Sequence, residues 1–349
     1  NKWLRSDIHH IKAYHVPKSE NMIKLDAMES PFLVPKDLMK PYLTYLSEAA
    51  LNRYPDGTAE EVQQTLRSLM DIPNELGVLL GNGSDELIQM MALACETGDT
   101  VLSVEPSFVM YEMIAKFTRL NYQRVLLDDN YEINLDGTLE EIKRTQPKLI
   151  FIAYPNNPTG NAFDRELILA IIKESEALIV VDEAYYAYSE GSFLNEVANY
   201  PNLVLLRTIS KMGFAGLRLG LLIGNHNTVR ELDKLRLPYN INTLTQASAN
   251  FLLKEKDHII ANANIIIDER QRLFDELTAM PGLKVFPSQA NFLLIKVDDA
   301  KVLFDFLKNN GILVKSFDMN PQLLHCIRVT VGSPNENNEF LEQIKSYYG

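Results

Sequence analysis

At 349 residues, 46% of them hydrophobic and 23% charged, the chain has the length and composition of a globular protein with one large domain and a smaller companion. Its 34 Lys and Arg against 46 Asp and Glu leave a net charge of −12. That balance excludes sequence-independent binding to nucleic-acid backbone, but not a small anion held in a locally positive site. Cys95 and Cys326 are too few for a disulfide framework or a structural zinc site, and the histidines show no paired helical spacing, so no metal is expected. No apolar run is long enough to span a membrane, and a reducing cytoplasm is the expected compartment.

The first stretch, "NKWLRSDIHHIKAYHVPKSE", lacks a continuous apolar segment and reads as an N-terminal arm over 1–30. From there to residue 245 short β-rich runs alternate with helix-period stretches such as 164–176. "TVLSVEP" (100–106), "KLIFIAYP" (148–155), "ALIVVDEA" (177–184) and "NLVLLRTIS" (202–210) are apolar throughout and end in polar residues or proline. Strands apolar on both faces, separated by helices, predict an α/β fold with a mostly parallel central sheet flanked by helices. "GLLIGN" (220–225) adds a further strand. Over 246–349 the pattern changes to a long amphipathic stretch, 247–280, followed by "LKVFPSQANFLLIKV", a helix at 300–310, "GILVKSF" and "CIRVTVG". This predicts a smaller α+β domain packing with the arm.

In an open α/β sheet the ligand sits beyond the carboxyl ends of the strands. Three predicted strands end in Asn156-Asn157, in Asp182 with Tyr185, and in Ser210-Lys211, so these groups share one rim. A lysine at the end of a buried strand has a lowered pKa, and its neutral amine is nucleophilic enough to attack an aldehyde. Asp182, ending "LIVVD", needs a cation or strong donors; a helix-capping role and a contact to a pyridinium nitrogen both satisfy it. Tyr185 and Asn157 can reach a phenolate, although the first also suits core packing and the second a simple turn. "GNGSDELIQMMALAC" (81–95) lacks the third glycine of a dinucleotide fingerprint, since position 86 is Glu. What it keeps is a helix start whose free N–H groups favour a phosphate, or else a ligand-free cap. Ser210, Thr208 and Arg218 add hydroxyls and a guanidinium fork for the same anion. An aldehyde, a ring nitrogen, a phenolate and a phosphate together describe pyridoxal 5′-phosphate.

"YPNNPTG", "VVDEAYYAY", "RTISKMGFAGLRLG" and "CIRVTVG", in this order, resemble the fold-type I pyridoxal-phosphate aminotransferases. With "LNRYPD" (51–56), "GNGSDELI" (81–88), "EPSFVMY" (105–111) and "ANFLLIKV" (290–297) they resemble the histidinol-phosphate aminotransferases in particular, over nearly the whole chain. The resemblance implies that Lys211 bonds the cofactor and then shuttles a proton, that Asp182 faces the ring nitrogen, and that Asn157 and Tyr185 contact the phenolic oxygen. It implies a phosphate site from Ser84, Asp85, Thr208, Ser210 and Arg218, and a stacking aromatic at Phe108, with Tyr111 the nearby alternative. Tyr54 resembles the residue that reaches the neighbouring subunit's cofactor, implying a homodimer with shared sites. Arg328, Lys315, Asn157 and the arm residue Tyr14 are the implied substrate contacts, Lys315 standing where the family usually has arginine. The implied reaction exchanges an amino group between glutamate or 2-oxoglutarate and histidinol phosphate or its keto form. Aromatic amino-acid transamination and threonine-phosphate decarboxylation are the alternatives within the fold. A dinucleotide-binding protein would leave Lys211 without a role, and a non-catalytic relative would have no need of Lys211 or Asp182.

Overall fold

The apolar runs become the strands of one seven-stranded sheet. The computed structural model describes residues 3–11, 13, 17, 19–317 and 320–349. A short strand β1 (Ile23–Lys24) and helices α1 (Lys36–Ser47) and α2 (Glu60–Met70) come first. The sheet is then built from β2 (Gly77–Gly81), α3 (Ser84–Leu93), β3 (Thr100–Glu105), α4 (Met110–Phe117), β4 (Asn121–Leu126), α5 (Leu135–Thr145), β5 (Leu149–Ala153), α6 (Arg165–Glu174), β6 (Leu178–Asp182), β7 (Leu203–Thr208) and β8 (Gly220–Gly224). Helices α7 (His226–Asp233), α8 (Thr243–Leu252) and α9 (Lys256–Thr278) lead out of it. The chain ends with β9 (Lys284–Val285), β10 (Phe292–Lys296), α10 (Ala300–Asn309), β11 (Ile312–Leu313), β12 (Lys315–Ser316), β13 (Cys326–Thr330) and α11 (Pro334–Tyr348).

The strand order is β2-β8-β7-β6-β5-β3-β4. Strands β7, β6, β5, β3 and β4 are parallel, while β8 runs antiparallel to both its neighbours. Side chains alternate across the pleat, so Ile150, Ile152, Ile179, Val181 and Leu205 enter one core. Phe151, Val180, Val204 and Leu206 enter a second core with Leu87, Met91 and Tyr111 of α3 and α4. Both faces are covered, which is why these strands are apolar throughout.

A four-stranded antiparallel sheet, β12-β13-β10-β9, forms the smaller layer, and β1 pairs in parallel with β11. Its core holds Leu273, Phe292, Ile327 and Phe340, together with Leu25 from the arm. The amphipathic stretch expected over 247–280 is two helices, α8 and α9, rather than one. Ala249 and Ile259 bury in the large-sheet core, whereas Ile266, Leu273 and Leu277 bury in the smaller one. The apolar stripe passes from the first core to the second within α9, between Ile259 and Ile266.

Candidate active site

Register along the sheet sets three strand ends side by side, with Ala153 opposite Asp182 and Asp182 opposite Leu206. The residues beyond them close around a cavity of about 100 Å³. Ser84, Asp85, Phe108, Asn157, Asp182, Tyr185, Thr208, Ser210, Lys211 and Arg218 all line it. Arg328 and Lys315 line a wider adjoining cavity of about 610 Å³. Met28, Phe108 and Asn157 belong to both and form the passage between them. Tyr54 lies elsewhere: it is 80% exposed and stacks on Tyr239 at 4.5 Å. Tyr14 falls outside the described residues.

Lys211 follows β7 on a short turn and is partly buried. Its Nζ donates to the Ala27 carbonyl at 3.1 Å. Burial, reinforced by the Arg328 guanidinium, lowers its pKa to about 8. Asp182 ends β6 and is 4% exposed. Tyr111 Oη donates to its Oδ2 at 2.7 Å and the Ala184 amide donates to its Oδ1 at 3.1 Å. Burial raises its pKa to about 6, against the pull of the Tyr111 hydrogen bond. Both groups are therefore held where their charged forms are disfavoured, as acid and base sites are. Tyr185 packs edge-on to Phe292, with Lys211 Nζ 5.9 Å from its ring centre, and burial pushes its phenol up.

The anion end is built by glycines. Helix α3 begins at Ser84 after Gly83, which has φ +86° and offers no side-chain cap. Its first N–H groups consequently have no side-chain cap, and Ser84 and Asp85 line the cavity. A Cβ on Gly83 would lie 2.6 Å from Arg218 Nη2, and one on Gly220 would lie 2.5 Å from the Ser84 amide. The two glycines let β8, the arginine and the helix start approach one another. Arg218 itself sits in the left-handed region at φ 49°, a strained placement for a non-glycine residue. Its Nη2 is 3.6 Å from Asp85, whose pKa burial raises although Arg218 and Lys211 oppose it. The Thr208 hydroxyl lies 2.9 Å from that of Ser210 and accepts the Ser210 amide.

In the wider cavity Arg328, on β13, donates to Asn157 Oδ1 and, at 2.8 Å, to the Asp26 carbonyl. Burial first, then Arg328, lowers the pKa of Lys315. Of the two asparagines in the turn after β5, Asn156 is spent on structure, donating to Pro106 O and Thr159 and accepting from Ser107. Asn157 is left for the cavity. Sequence reasoning missed the arm segment Asp26–Ala27–Met28. Its first two carbonyls hold Arg328 and Lys211, and Met28, at φ 54°, is pinned by Thr330 and Asn291. The stretch "KLDAMESP", ending at Pro31, was the available signal. The Tyr111–Asp182 bond was also missed. Tyr111 lies one helical turn from Phe108, so their rings meet edge-on at 5.5 Å while Phe108 lines both cavities.

A further cavity of about 280 Å³ lies beside Asp56 and Asp233. Its Arg67 and Arg236 already donate to the carbonyls of Pro73, Leu76 and Gly57. Among the described residues no group of His, Cys, Asp and Glu is arranged to hold a metal ion.

A lysine with a lowered pKa, a buried carboxylate and a helix start without a side-chain cap line one cavity, an arrangement suited to a ligand with an electrophilic carbon and an anionic group. The chain belongs to the family described as aminotransferase class I and II, whose model matches residues 20–344. It is 62% identical over 348 residues to the histidinol-phosphate aminotransferase of Vesicomyosocius okutanii, covering 100% of this chain and 98% of that one. It is 43% identical over 347 residues to the histidinol-phosphate aminotransferase of Chromobacterium violaceum, covering 99% and 98%. The crystal structure of the histidinol-phosphate aminotransferase from Clostridium acetobutylicum superposes with a TM-score of 0.85 at 25% identity, over 94% of this chain and 99% of that one. The Sinorhizobium meliloti histidinol-phosphate aminotransferase, solved in complex with pyridoxal-5′-phosphate, shares the fold with a TM-score of 0.87 at 22% identity, over 99% of each chain.

Proposed function

We propose that this protein is a pyridoxal-phosphate-dependent transaminase exchanging an amino group between glutamate or 2-oxoglutarate and histidinol phosphate or its keto form, in histidine biosynthesis. The observation that carries the reading is the pair of adjoining cavities. One gathers Lys211, Asp182 and the α3 start, and the other gathers Arg328 and Lys315. The residues fit the cofactor: a buried carboxylate whose donors are neutral suits a ring nitrogen, and an uncapped helix start beside Arg218 suits a phosphate. The 62% identity to a histidinol-phosphate aminotransferase supports the substrate.

When bound, pyridoxal phosphate supplies an electron sink for a carbanion at the amino-bearing carbon. The chain's own residues do the rest. Lys211 Nζ, with a pKa near 8, takes the proton from the substrate Cα and returns it, transfer that is typically worth about 10²–10⁴ in rate. Asp182 would hold the ring-nitrogen proton, Asn157 and Tyr185 would orient the phenolic oxygen, and Phe108 would be the stacking aromatic. Ser84, Asp85, Thr208, Ser210 and Arg218 anchor the phosphate. Arg328 grips the substrate's anionic end and Lys315 the phosphate of histidinol phosphate, as a point charge rather than a fork. Tyr14, implied by the resemblance as a further substrate contact, lies outside the described residues.

The molecule is read as an arm (1–30), a large cofactor-binding domain (31–245) and a small domain (246–349), a division supported by the distinct seven- and four-stranded sheets. Exposed Tyr54, Leu51 and Leu237 suit a homodimer interface in which Tyr54 reaches the partner's cofactor. No helix among the described residues is long and apolar enough to cross a membrane, and the cytoplasm is the proposed location.

The test is turnover of histidinol phosphate with 2-oxoglutarate by the purified protein. Lys315→Ala is expected to raise KM for histidinol phosphate while leaving KM for glutamate near its wild-type value. Turnover of phenylalanine or phosphothreonine without turnover of histidinol phosphate would overturn the substrate assignment.

A further inference from the structure

Tyr111 is among the largest fully buried side chains of the molecule. Its ring lies flat on Phe151, with centres 4.6 Å apart and planes 9° apart, and meets Phe108 edge-on. Phe151 belongs to β5, the strand beside the one that ends in Asp182. The hydroxyl position is therefore set by packing on the sheet, not by a free rotamer. From that position it donates to Asp182 Oδ2 at 2.7 Å, while the Ala184 amide serves Oδ1 at 3.1 Å.

The surroundings of Asp182 give this donor weight. Asp85 from α3 and Glu183 from the same strand end both disfavour its negative charge. Among the described residues no ion pair neutralises it, and Lys211 and Arg218 act on Asp85 from the cavity. Tyr185 stands on the following turn. The phenol of Tyr111 is pushed well above its ordinary range, by burial first and by Asp182 next, so it keeps its proton. A tyrosine that stays protonated can only donate to a carboxylate.

We propose that Tyr111 is a positioning residue of the cofactor site, fixing the plane of the Asp182 carboxylate and keeping it anionic toward the ring nitrogen. The inference rests on the cofactor reading above. It also gives Phe108 and Asp182 a common support, since one ring backs the aromatic wall of the passage and aims the carboxylate.

Tyr111→Phe removes the hydroxyl and keeps the ring. In the full-length protein its dissociation constant for pyridoxal phosphate is expected to rise about tenfold, the equivalent of one charge-assisted hydrogen bond. The acid limb of the pH titration of the cofactor's visible band should move up by about one pH unit. Glutamate KM should stay within about twofold while kcat falls, because the substrate contacts are untouched. In an Asp182→Asn background the same substitution should add less than about twofold, since its effect runs through the carboxylate. Wild-type affinity and an unmoved titration in Tyr111→Phe, or an equal further loss in Asp182→Asn, would overturn the inference. If Tyr111→Phe does not fold, Phe151→Leu, which loosens the stack but keeps the hydroxyl, should move the titration in the same direction, and an unmoved titration counts against the proposal. A wild-type protein that develops no visible band with pyridoxal phosphate would instead overturn the cofactor reading itself.

Discussion

Lys211 is held at a cost that its replacement should reveal. Its pKa falls from 10.5 to about 8 through burial, so at pH 7 the folded chain still carries the ammonium in surroundings that disfavour it. At 1.36 kcal/mol per pK unit the penalty is about 3 kcal/mol, reduced somewhat by solvent entering the cavity. Lys211→Met keeps the length and apolar stem, loses one hydrogen bond to the Ala27 carbonyl worth about 1 kcal/mol, and removes the penalty. The unliganded variant should therefore be about 2 kcal/mol more stable than wild type at pH 7. The pH dependence has a definite sign. Between about pH 8 and 10.5 the unfolded lysine keeps a proton that the folded one has released, so wild-type stability rises with pH across this window. The advantage of the variant should shrink by about 2 kcal/mol between pH 7 and pH 10. Urea unfolding of both unliganded proteins at equal concentration measures it. A methionine variant less stable than wild type at pH 7, or a gap unchanged at pH 10, would refute the reasoning.

Gly83→Ala places a Cβ 2.6 Å from Arg218 Nη2 at a residue with φ +86°. The arginine must move, and titration with pyridoxal phosphate should show affinity reduced about tenfold or more. Arg207 and Glu183 form a buried ion pair at 2.9 Å, 2% and 0% exposed, with Ser192 and the Phe193 amide also serving the carboxylate. Arg207→Met should destabilise by about 3–5 kcal/mol by denaturant unfolding, because it leaves a buried carboxylate without its cation. Adding Glu183→Gln should recover much of that loss. Capture of pyridoxal phosphate by the unliganded protein needs neutral Lys211, so its stopped-flow association rate should rise about tenfold from pH 7 to pH 9 and then level off.

The large sheet was legible because each strand is apolar on both faces and ends in a polar residue at the same rim. Those two facts locate Asn157, Asp182 and Lys211 together without any contact information. The arm was not legible in the same way. "KLDAMESP" carries no period, since it contributes backbone carbonyls and one left-handed residue to the site rather than a side-chain face. Arg207 escaped notice because a cation inside "LVLLRT" is tolerable only with its partner, and Glu183 lies on a neighbouring strand end. The two helices at 243–278 read as one stretch because both halves are amphipathic. Where the buried residues pass from one core to the other is a tertiary fact that a linear pattern does not contain.

Lys211 and Asp182 show why the unliganded site has the character it does. Burial moves the pKa of one down to about 8 and of the other up to about 6. Had the two groups been paired, Coulomb attraction would have driven both shifts the opposite way, toward a more basic lysine and a more acidic carboxylate. Among the described residues Lys211 donates to a backbone carbonyl and Asp182 accepts from a phenol and an amide. The fold thus keeps the two ionisable groups from satisfying each other and leaves the cavity between them. A ligand that offers an electrophilic carbon to the amine and a protonated nitrogen to the carboxylate relieves both penalties at once. Binding energy of that origin is available only to a molecule carrying both features at the right separation. Selectivity at this end of the site then follows from what the empty cavity withholds as much as from what the bound ligand touches.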